Sequence, residues 1–330
     1  MSHKKILVIR LSSIGDLVLT NFIYKALKEK YQNSKIHVLT KKEYSDVVRY
    51  NPYIDKLILF DKKQSFYKLI HDIKKENFNL ILDLHNNLRS NILKLSVRAQ
   101  TLRAQSLRPQ FLTYKKESWK RLLLVKTKIN LLKKGKTTLE KYASTINLKN
   151  NIDNFIVIPE FITKKLESKL ISNGVKQGHF ITISREARWP TKQWDKFESL
   201  IEQLLKQKKR VVVIGKKSSG MKFNSSLFLD LGGQLSLIES AAVIKLSSQF
   251  ISNDTGLMHI ADALKVPLIT IWGPTVREFG FAPQSKESHI LEINNLNCRP
   301  CSTHGSKTCP KGHFKCMKMI SIDMVSKYVK

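Results

Sequence analysis

The stretch from Phe250 to Thr275, F-I-S-N-D-T-G-L-M-H-I-A-D-A-L-K-V-P-L-I-T-I-W-G-P-T, leaves few folds open to this chain. Phe250 to Ser252 reads as a short buried strand, Asn253-Asp254-Thr255-Gly256 as a polar turn, Leu257 to Leu264 as an apolar-periodic helix and Pro267 to Ile271 as a second strand. The result is a βαβ unit. Asp254 or Thr255 would cap the helix, whose first free N–H groups point out of the carboxyl end of the sheet, where an anionic or polyhydroxyl ligand can collect them. The second strand stops at Trp272-Gly273-Pro274-Thr275, another polar turn at the same edge. Two loops able to hold a ligand thus meet on one rim, the usual place for a site in an open parallel sheet. Ordinary capping is the alternative role for Asp254, and a satisfied, partly buried histidine is the alternative for His259. The full D-T-G-x-x-H with its following W-G-P-T is more specific than either residue alone.

The same logic opens the chain. Ile6 to Ile9 reads as a strand, Arg10-Leu11-Ser12-Ser13-Ile14-Gly15-Asp16 as a turn, Leu17 to Lys30 as an amphipathic helix and Ile36 to Thr40 as a strand. The turn is not G-x-G-x-x-G, so the dinucleotide fingerprint is absent. Gly15 is expected to let the backbone turn tightly, and Asp16 to sit at the helix start with its carboxylate aimed above the sheet. There it acts either as an N-cap or as a general base that accepts the proton of an attacking sugar hydroxyl. Leu57 to Phe60 and Leu80 to Leu84 continue the alternation around a helix at Phe66 to Lys75, and the second of these strands ends in D-L-H-N-N-L-R-S. In that run Arg89 suits a phosphate or carboxylate, although a simple polar loop fits equally.

A polar run near Asn150 suits a linker, and a second α/β series follows: a strand at Phe180 to Ser184, a helix at Lys192 to Leu205, a strand at Arg210 to Ile214 and a helix at Leu235 to Leu246. At 330 residues, 42% of them hydrophobic, two domains are expected, 1–155 and 156–330. No segment approaches 18 continuous apolar residues, and Met1-Ser2-His3-Lys4-Lys5 runs straight into a strand without room for a signal peptide, so a cytoplasmic protein is expected.

The formal charge of +32 is uneven: between Arg89 and Lys141 there are fifteen Lys/Arg and only Glu117 and Glu140 as acids. Such a surface attracts polyanions. Residues 98–141, with Phe111, Tyr114, Trp119 and the apolar run Leu122 to Val125 among the cations, can lie on an anionic bilayer as a basic amphipathic segment. Nucleic acid is the other class of partner, but no single-strand, helix-turn-helix or zinc-finger pattern accompanies the charge, so none is expected. Lys133-Lys134-Gly135-Lys136-Thr137 resembles the end of a P-loop, yet Asn130 stands where the first glycine is required. The four cysteines, Cys298, Cys301, Cys309 and Cys316, cluster near the end with His304 and His313. One C-x-x-C pair with irregular gaps leaves both a structural zinc and reduced structural thiols open.

These motifs together resemble glycosyltransferase family 9, the bacterial heptosyltransferases of lipopolysaccharide core assembly. Ser13-Ile14-Gly15-Asp16 matches its S-x-x-G-D turn, Asp83 to Ser90 its D-x-x-x-x-L-x-S segment, Lys192-Gln193-Trp194 its K-x-W, and Asp254 to His259 its donor signature. The tail C-R-P-C, C-P-K-G-H and K-C-M is similar to the endings of the heptosyltransferase II branch. The resemblance implies the GT-B fold, two Rossmann-like parallel-sheet domains facing across a cleft, the first binding acceptor and the second a nucleotide sugar. It implies Asp16 as the base of an inverting transfer, Ser12, Ser13, Gly15, Asn86 and Arg89 near the acceptor, and Lys192, Asp254, Thr255, Gly256, Leu257 and His259 near the donor. ADP-heptose as donor and a phosphorylated lipopolysaccharide inner-core precursor of Kdo-lipid A type as acceptor follow from it, at the inner face of the cytoplasmic membrane. No cofactor is implied. No catalytic metal is expected either, since no Asp-x-Asp pair stands near these loops. Where the family often carries an acidic residue for the nucleotide ribose, this chain has Lys216-Lys217-Ser218-Ser219, which leaves a donor with another sugar nucleotide open.

Overall fold

The computed structural model describes residues 4–61, 63–103, 109–132, 135–148 and 152–330. The chain divides into two compact units: Met1–Glu117 with Thr138–Val157, and Ser118–Thr137 with Ile158–Lys330.

The first unit runs β1 (Lys5–Ile9), α1 (Ile14–Val18), α2 (Asn21–Lys30), β2 (Lys35–Lys41), α3 (Asp46–Arg49), β3 (Lys56–Phe60), α4 (Phe66–Lys75), β4 (Leu80–Asp83), α5 (Leu88–Arg103) and β5 (Gln110–Thr113), then, after an excursion of the chain, α7 (Thr138–Thr145). All strands are parallel in the order β3-β2-β1-β4-β5. Ile6 to Ile9 and Leu80 to Leu82 have no exposed surface, which is why these strands read as unbroken apolar runs rather than alternating ones. The single helix expected over Leu17 to Lys30 is two helices. Thr20 Oγ1 donates to the Leu17 carbonyl at 2.7 Å and Asn21 Nδ2 to that of Val18 at 3.2 Å, so side chains take carbonyls that a continuous helix would need. The helix also begins earlier than expected, at Ile14. Gly15 is therefore its buried second residue, with no positive φ, and the tight turn assigned to it is not there.

The second unit contains α6 (Ser118–Thr127), α8 (Glu160–Ser172), β6 (Ile181–Ser184), α9 (Phe197–Lys206), β7 (Val211–Val213), β8 (Phe228–Asp230), α10 (Leu237–Leu246), β9 (Gln249–Asn253), α11 (Gly256–Ala263), β10 (Leu268–Trp272), β11 (Ser288–Glu292), α12 (Lys315–Lys318) and α13 (Ile322–Ser326). Its strand order is β11-β10-β9-β6-β7-β8, again all parallel. The cysteine-bearing tail joins the core: Cys316, Met317, Ile320 and Val325 pack with Trp194, Phe197 and Ile271. Two differences from the sequence reading stand out. Lys192 ends a short 3-10 turn, Pro190–Lys192, instead of starting a helix, since α9 opens only at Phe197. Residues Ser118–Thr137, expected in the first domain, pack in the second unit, where Leu124 and Leu132 bury against Phe279.

Each sheet has one point where the direction of strand addition reverses, between β1 and β4 in the first unit and between β6 and β9 in the second. Loops leaving the carboxyl ends of two such strands part around a crevice, and that is where open α/β sheets bind ligands.

Candidate functional site

At the first of these points, the loop after β1 and the start of α1 carry Ser12, Ser13 and Asp16, while the loop after β4 carries His85 and Asn86. Asp16 Oδ2 accepts from the Ser13 amide at 3.2 Å and the Ser13 hydroxyl at 2.9 Å, and pairs with Arg10 Nη2 at 2.6 Å. Among the described residues, Asp16 Oδ1 accepts only from the Tyr142 hydroxyl, at 3.2 Å. Arg10 leaves the end of β1 buried, donates to the Leu84 carbonyl and lies 5.7 Å from the Tyr142 ring, which meets Tyr114 edge-on at 4.9 Å. Burial by itself would raise the Asp16 carboxyl, but the Arg10 guanidinium and the Ser13 hydrogen bonds override it and hold Asp16 down at about 2. His85 is pushed the other way. Burial, then the charges of Arg10 and Lys116, lower it to about 4, so its imidazole is neutral near pH 7.

The β4 loop is braced from beneath. Asp83, fully buried, accepts from the amides of His85 at 2.9 Å and Asn86 at 2.8 Å and pairs with Lys94 at 2.7 Å. Asn86 adopts a left-handed φ of 43° and donates Nδ2 to the Tyr114 carbonyl at 2.9 Å, so its amide nitrogen is occupied in holding the loop. Arg89 is exposed on α5, with its guanidinium 5.8 Å from the Phe60 ring.

In the second unit the crevice between β6 and β9 brings the K-x-W segment to the donor signature. Lys192 Nζ is paired with Asp254 Oδ2, which also accepts from the Thr275 hydroxyl at 2.8 Å. Burial opposes the Asp254 charge, but Lys192, Thr275 and His259 outweigh it and keep the carboxyl below its ordinary range. Thr255 caps α11 without a side-chain bond to the helix, and its buried hydroxyl has no hydrogen-bond partner among the described residues. Gly256 and Leu257 form the first turn behind it; His259 is buried, edge-on to Phe281 at 6.2 Å.

Sequence reasoning missed three positioning residues. Asn253 holds both arms of this crevice, accepting from the Trp194 amide at 3.1 Å and donating to the Arg185 carbonyl at 2.7 Å. Arg299, inside the C-R-P-C of the tail, donates to the carbonyls of Gly273 at 2.6 Å and Thr275 at 2.8 Å and so fixes the loop that reaches Asp254. Gly273 is needed there, because a Cβ would stand 2.8 Å from Met317 Sδ. At the loop after β7, Glu186 accepts from the amides of Lys216 at 2.8 Å and Lys217 at 3.1 Å, and Asp230 accepts from the amide of Ser219 at 2.8 Å, so the acidic groups at this edge come from the loop after β6 and the end of β8. The four thiols are free, and among the described residues no group of three His, Cys, Asp or Glu is placed to hold a metal. Burial and the neighbouring thiols push Cys316 up to about 11.

The Arg10–Asp16 pair sets a pH expectation. With its folded pKa depressed, Asp16 contributes stability that is present above its unfolded value of about 3.9 and is lost as pH falls through about 2. It therefore stays ionised across the working range. Arg10→Met leaves burial without an opposing cation and raises the carboxyl. A pH profile of kcat/KM should then gain an acidic limb that the wild type lacks above about pH 4; superimposable profiles would show that Arg10 does not set the charge of Asp16.

Comparison with known proteins gives the family and the fold. A family model described as glycosyltransferase family 9 (heptosyltransferase) matches residues 66–312. Lipopolysaccharide heptosyltransferase 3 of Escherichia coli (strain K12) is 26% identical, the match covering 80% of this chain and 81% of that one. Among solved structures, a glycosyl transferase family 9 protein from Veillonella parvula superposes with a TM-score of 0.77 at 20% identity, over 99% of this chain and 96% of the other. The E. coli ADP-heptose lps heptosyltransferase II does so at 0.72 and 17% identity, over 98% and 97%.

Proposed function

The chain belongs to glycosyltransferase family 9, and from that premise we propose that it moves a heptose from an ADP-heptose-type donor to the inner core of a lipopolysaccharide precursor, with inversion at the anomeric carbon. The observation that carries this reading is the equipment of the two crevices. One holds a carboxylate kept ionised, and the other a lysine-carboxylate pair beside a helix start whose N-cap, Thr255, makes no side-chain bond to it. Asp16 Oδ1, with one long hydrogen bond from Tyr142, is the freer oxygen and takes the proton of the acceptor hydroxyl as that oxygen attacks. Lys192 and the first turn of α11 meet the departing diphosphate, where fixed positive charge and aligned N–H groups lower the cost of developing negative charge. Thr255 supplies a hydroxyl for the sugar or a phosphate oxygen. In this mechanism Ser12, Ser13, Gly15, Asn86 and Arg89 shape the acceptor side, and no metal takes part.

Lys216 and Lys217 favour a second reading of the donor alone. The loop following β7 includes no acid, and the two carboxylates beside it are already engaged, Glu186 with the amides of Lys216 and Lys217 and Asp230 with Ser218 and Ser219. A different sugar nucleotide would then be the donor. Mass spectrometry of reactions with a lipopolysaccharide-core acceptor and a panel of sugar nucleotides separates the two. Addition of a heptose from ADP-heptose alone is the expected result; product from another donor alone replaces it. An acceptor of this kind is lipid-anchored, so the protein works as a peripheral enzyme at the anionic inner leaflet, and no helix among the described residues is long and apolar enough to cross a membrane.

A further inference from the structure

Helix α6 is apolar on two sides. One side belongs to the second unit: Leu124 packs with Leu132 and Phe279, Val125 sits against the same cluster, and the Arg121 guanidinium stands 5.0 Å from the Phe281 ring. A surface helix ordinarily turns polar residues to the opposite side. Here that side and the turn after it carry Trp119, 61% exposed, Leu122, 48%, Ile129, 55%, and Leu131, 51%. Trp119 and Leu122 are three apart and so neighbours on the helix. Single exposed apolar residues are ordinary, but four large ones within thirteen residues are a concentration that solvent alone does not explain. The charge of the segment itself is one-sided, since Ser118–Thr137 holds seven Lys/Arg and no Asp or Glu. Lys126 is exposed beside the apolar residues.

We propose that this face of α6 and its following turn is a docking surface for an anionic phospholipid bilayer, a proposal that rests on reading the chain as a transferase with a lipid-anchored acceptor. Trp119 sits at the headgroup level, where an indole keeps an apolar body in the acyl boundary and its N–H in water. Leu122, Ile129 and Leu131 enter beside it, and the cations meet lipid phosphates. Charge complementarity selects this occupant: an apolar strip alone would suit a second copy of the chain, but one on a segment with seven Lys/Arg and no acid of its own repels its copy and attracts an anionic surface, the nearby Glu278 being engaged by Asn130 at 3.1 Å. Arg121 takes no part in docking, because its guanidinium is buried against Phe281.

Sedimentation with vesicles of phosphatidylcholine, with and without a third phosphatidylglycerol, tests this on the full chain. The wild type should pellet with the anionic vesicles, and Trp119→Ser/Leu122→Ser should need about tenfold more lipid or worse, since two buried side chains are lost. Lys126→Glu should weaken binding chiefly at low salt. Brominated acyl chains should quench a part of the tryptophan fluorescence that is absent in Trp119→Phe. Transfer to a lipid-free acceptor should be equal in all variants with unchanged circular dichroism. Equal pelleting of the wild type and the double variant, or a wild-type dimer that the double variant abolishes, would overturn the proposal. Vesicle binding without sugar transfer by any protein would instead overturn the functional reading and leave the docking surface standing.

Discussion

Replacing Asp16 by Asn should lower turnover by about 10²-fold or more, because an amide cannot take the proton of the attacking hydroxyl. Donor affinity should be retained, since no donor contact is assigned to the first unit. The substitution is not silent for stability. The amide keeps an oxygen for Ser13 but no charge for Arg10, whose side chain is only 6% exposed. Leaving a buried cation without its partner costs about 3 kcal/mol, so the melting temperature should fall while circular dichroism at low temperature stays native. Turnover within a few-fold of the wild type would reduce Asp16 to a cap and a counter-ion for Arg10.

The second large effect concerns Lys192. Its removal should weaken donor binding by about tenfold to a hundredfold, the equivalent of one charge-assisted hydrogen bond to phosphate, and should slow the transfer as well. Asp254→Ala should do nearly as much, through the lysine it holds and the Thr275 bond it loses. Because the two side chains act as one unit, the double variant should be little worse than Lys192→Ala alone. Calorimetry with the donor measures all three. Additive losses would mean that Asp254 and Lys192 contact the donor independently, and unchanged affinity in both single variants would move the nucleotide elsewhere.

The parts of this architecture that could be read from residues are those in which one local pattern dominates. Buried strands such as Leu80 to Leu82 and Phe250 to Ile251 announce themselves as apolar runs, and the polar turns after them mark the crevices. The strands β5, β8 and β11 were not legible, since Gln110–Thr113, Phe228–Asp230 and Ser288–Glu292 lie at or near the sheet edges and are short and half-exposed. Partnership across the chain was not legible either. Nothing near Asp16 points to Tyr142, 126 residues away, and the Asp254–Lys192 pair spans 62. Arg10 did leave a signal, a cation placed directly after the buried run Ile6 to Ile9, where only an internal partner makes it tolerable. The excursion of Ser118–Thr137 into the second unit escaped notice because its cations masked the apolar contacts of Leu124 and Leu132.

Direct displacement assisted by Asp16 and Lys192 makes a stereochemical demand that one experiment reads. The purified protein is incubated with ADP-heptose and a lipopolysaccharide-core acceptor, and the anomeric configuration of the product is determined by NMR from its one-bond carbon–hydrogen coupling, with ADP counted in the same sample. One ADP per heptose transferred and a configuration opposite to that of the donor are the expected result. Retained configuration, or ADP released without a heptosylated acceptor, would contradict direct displacement.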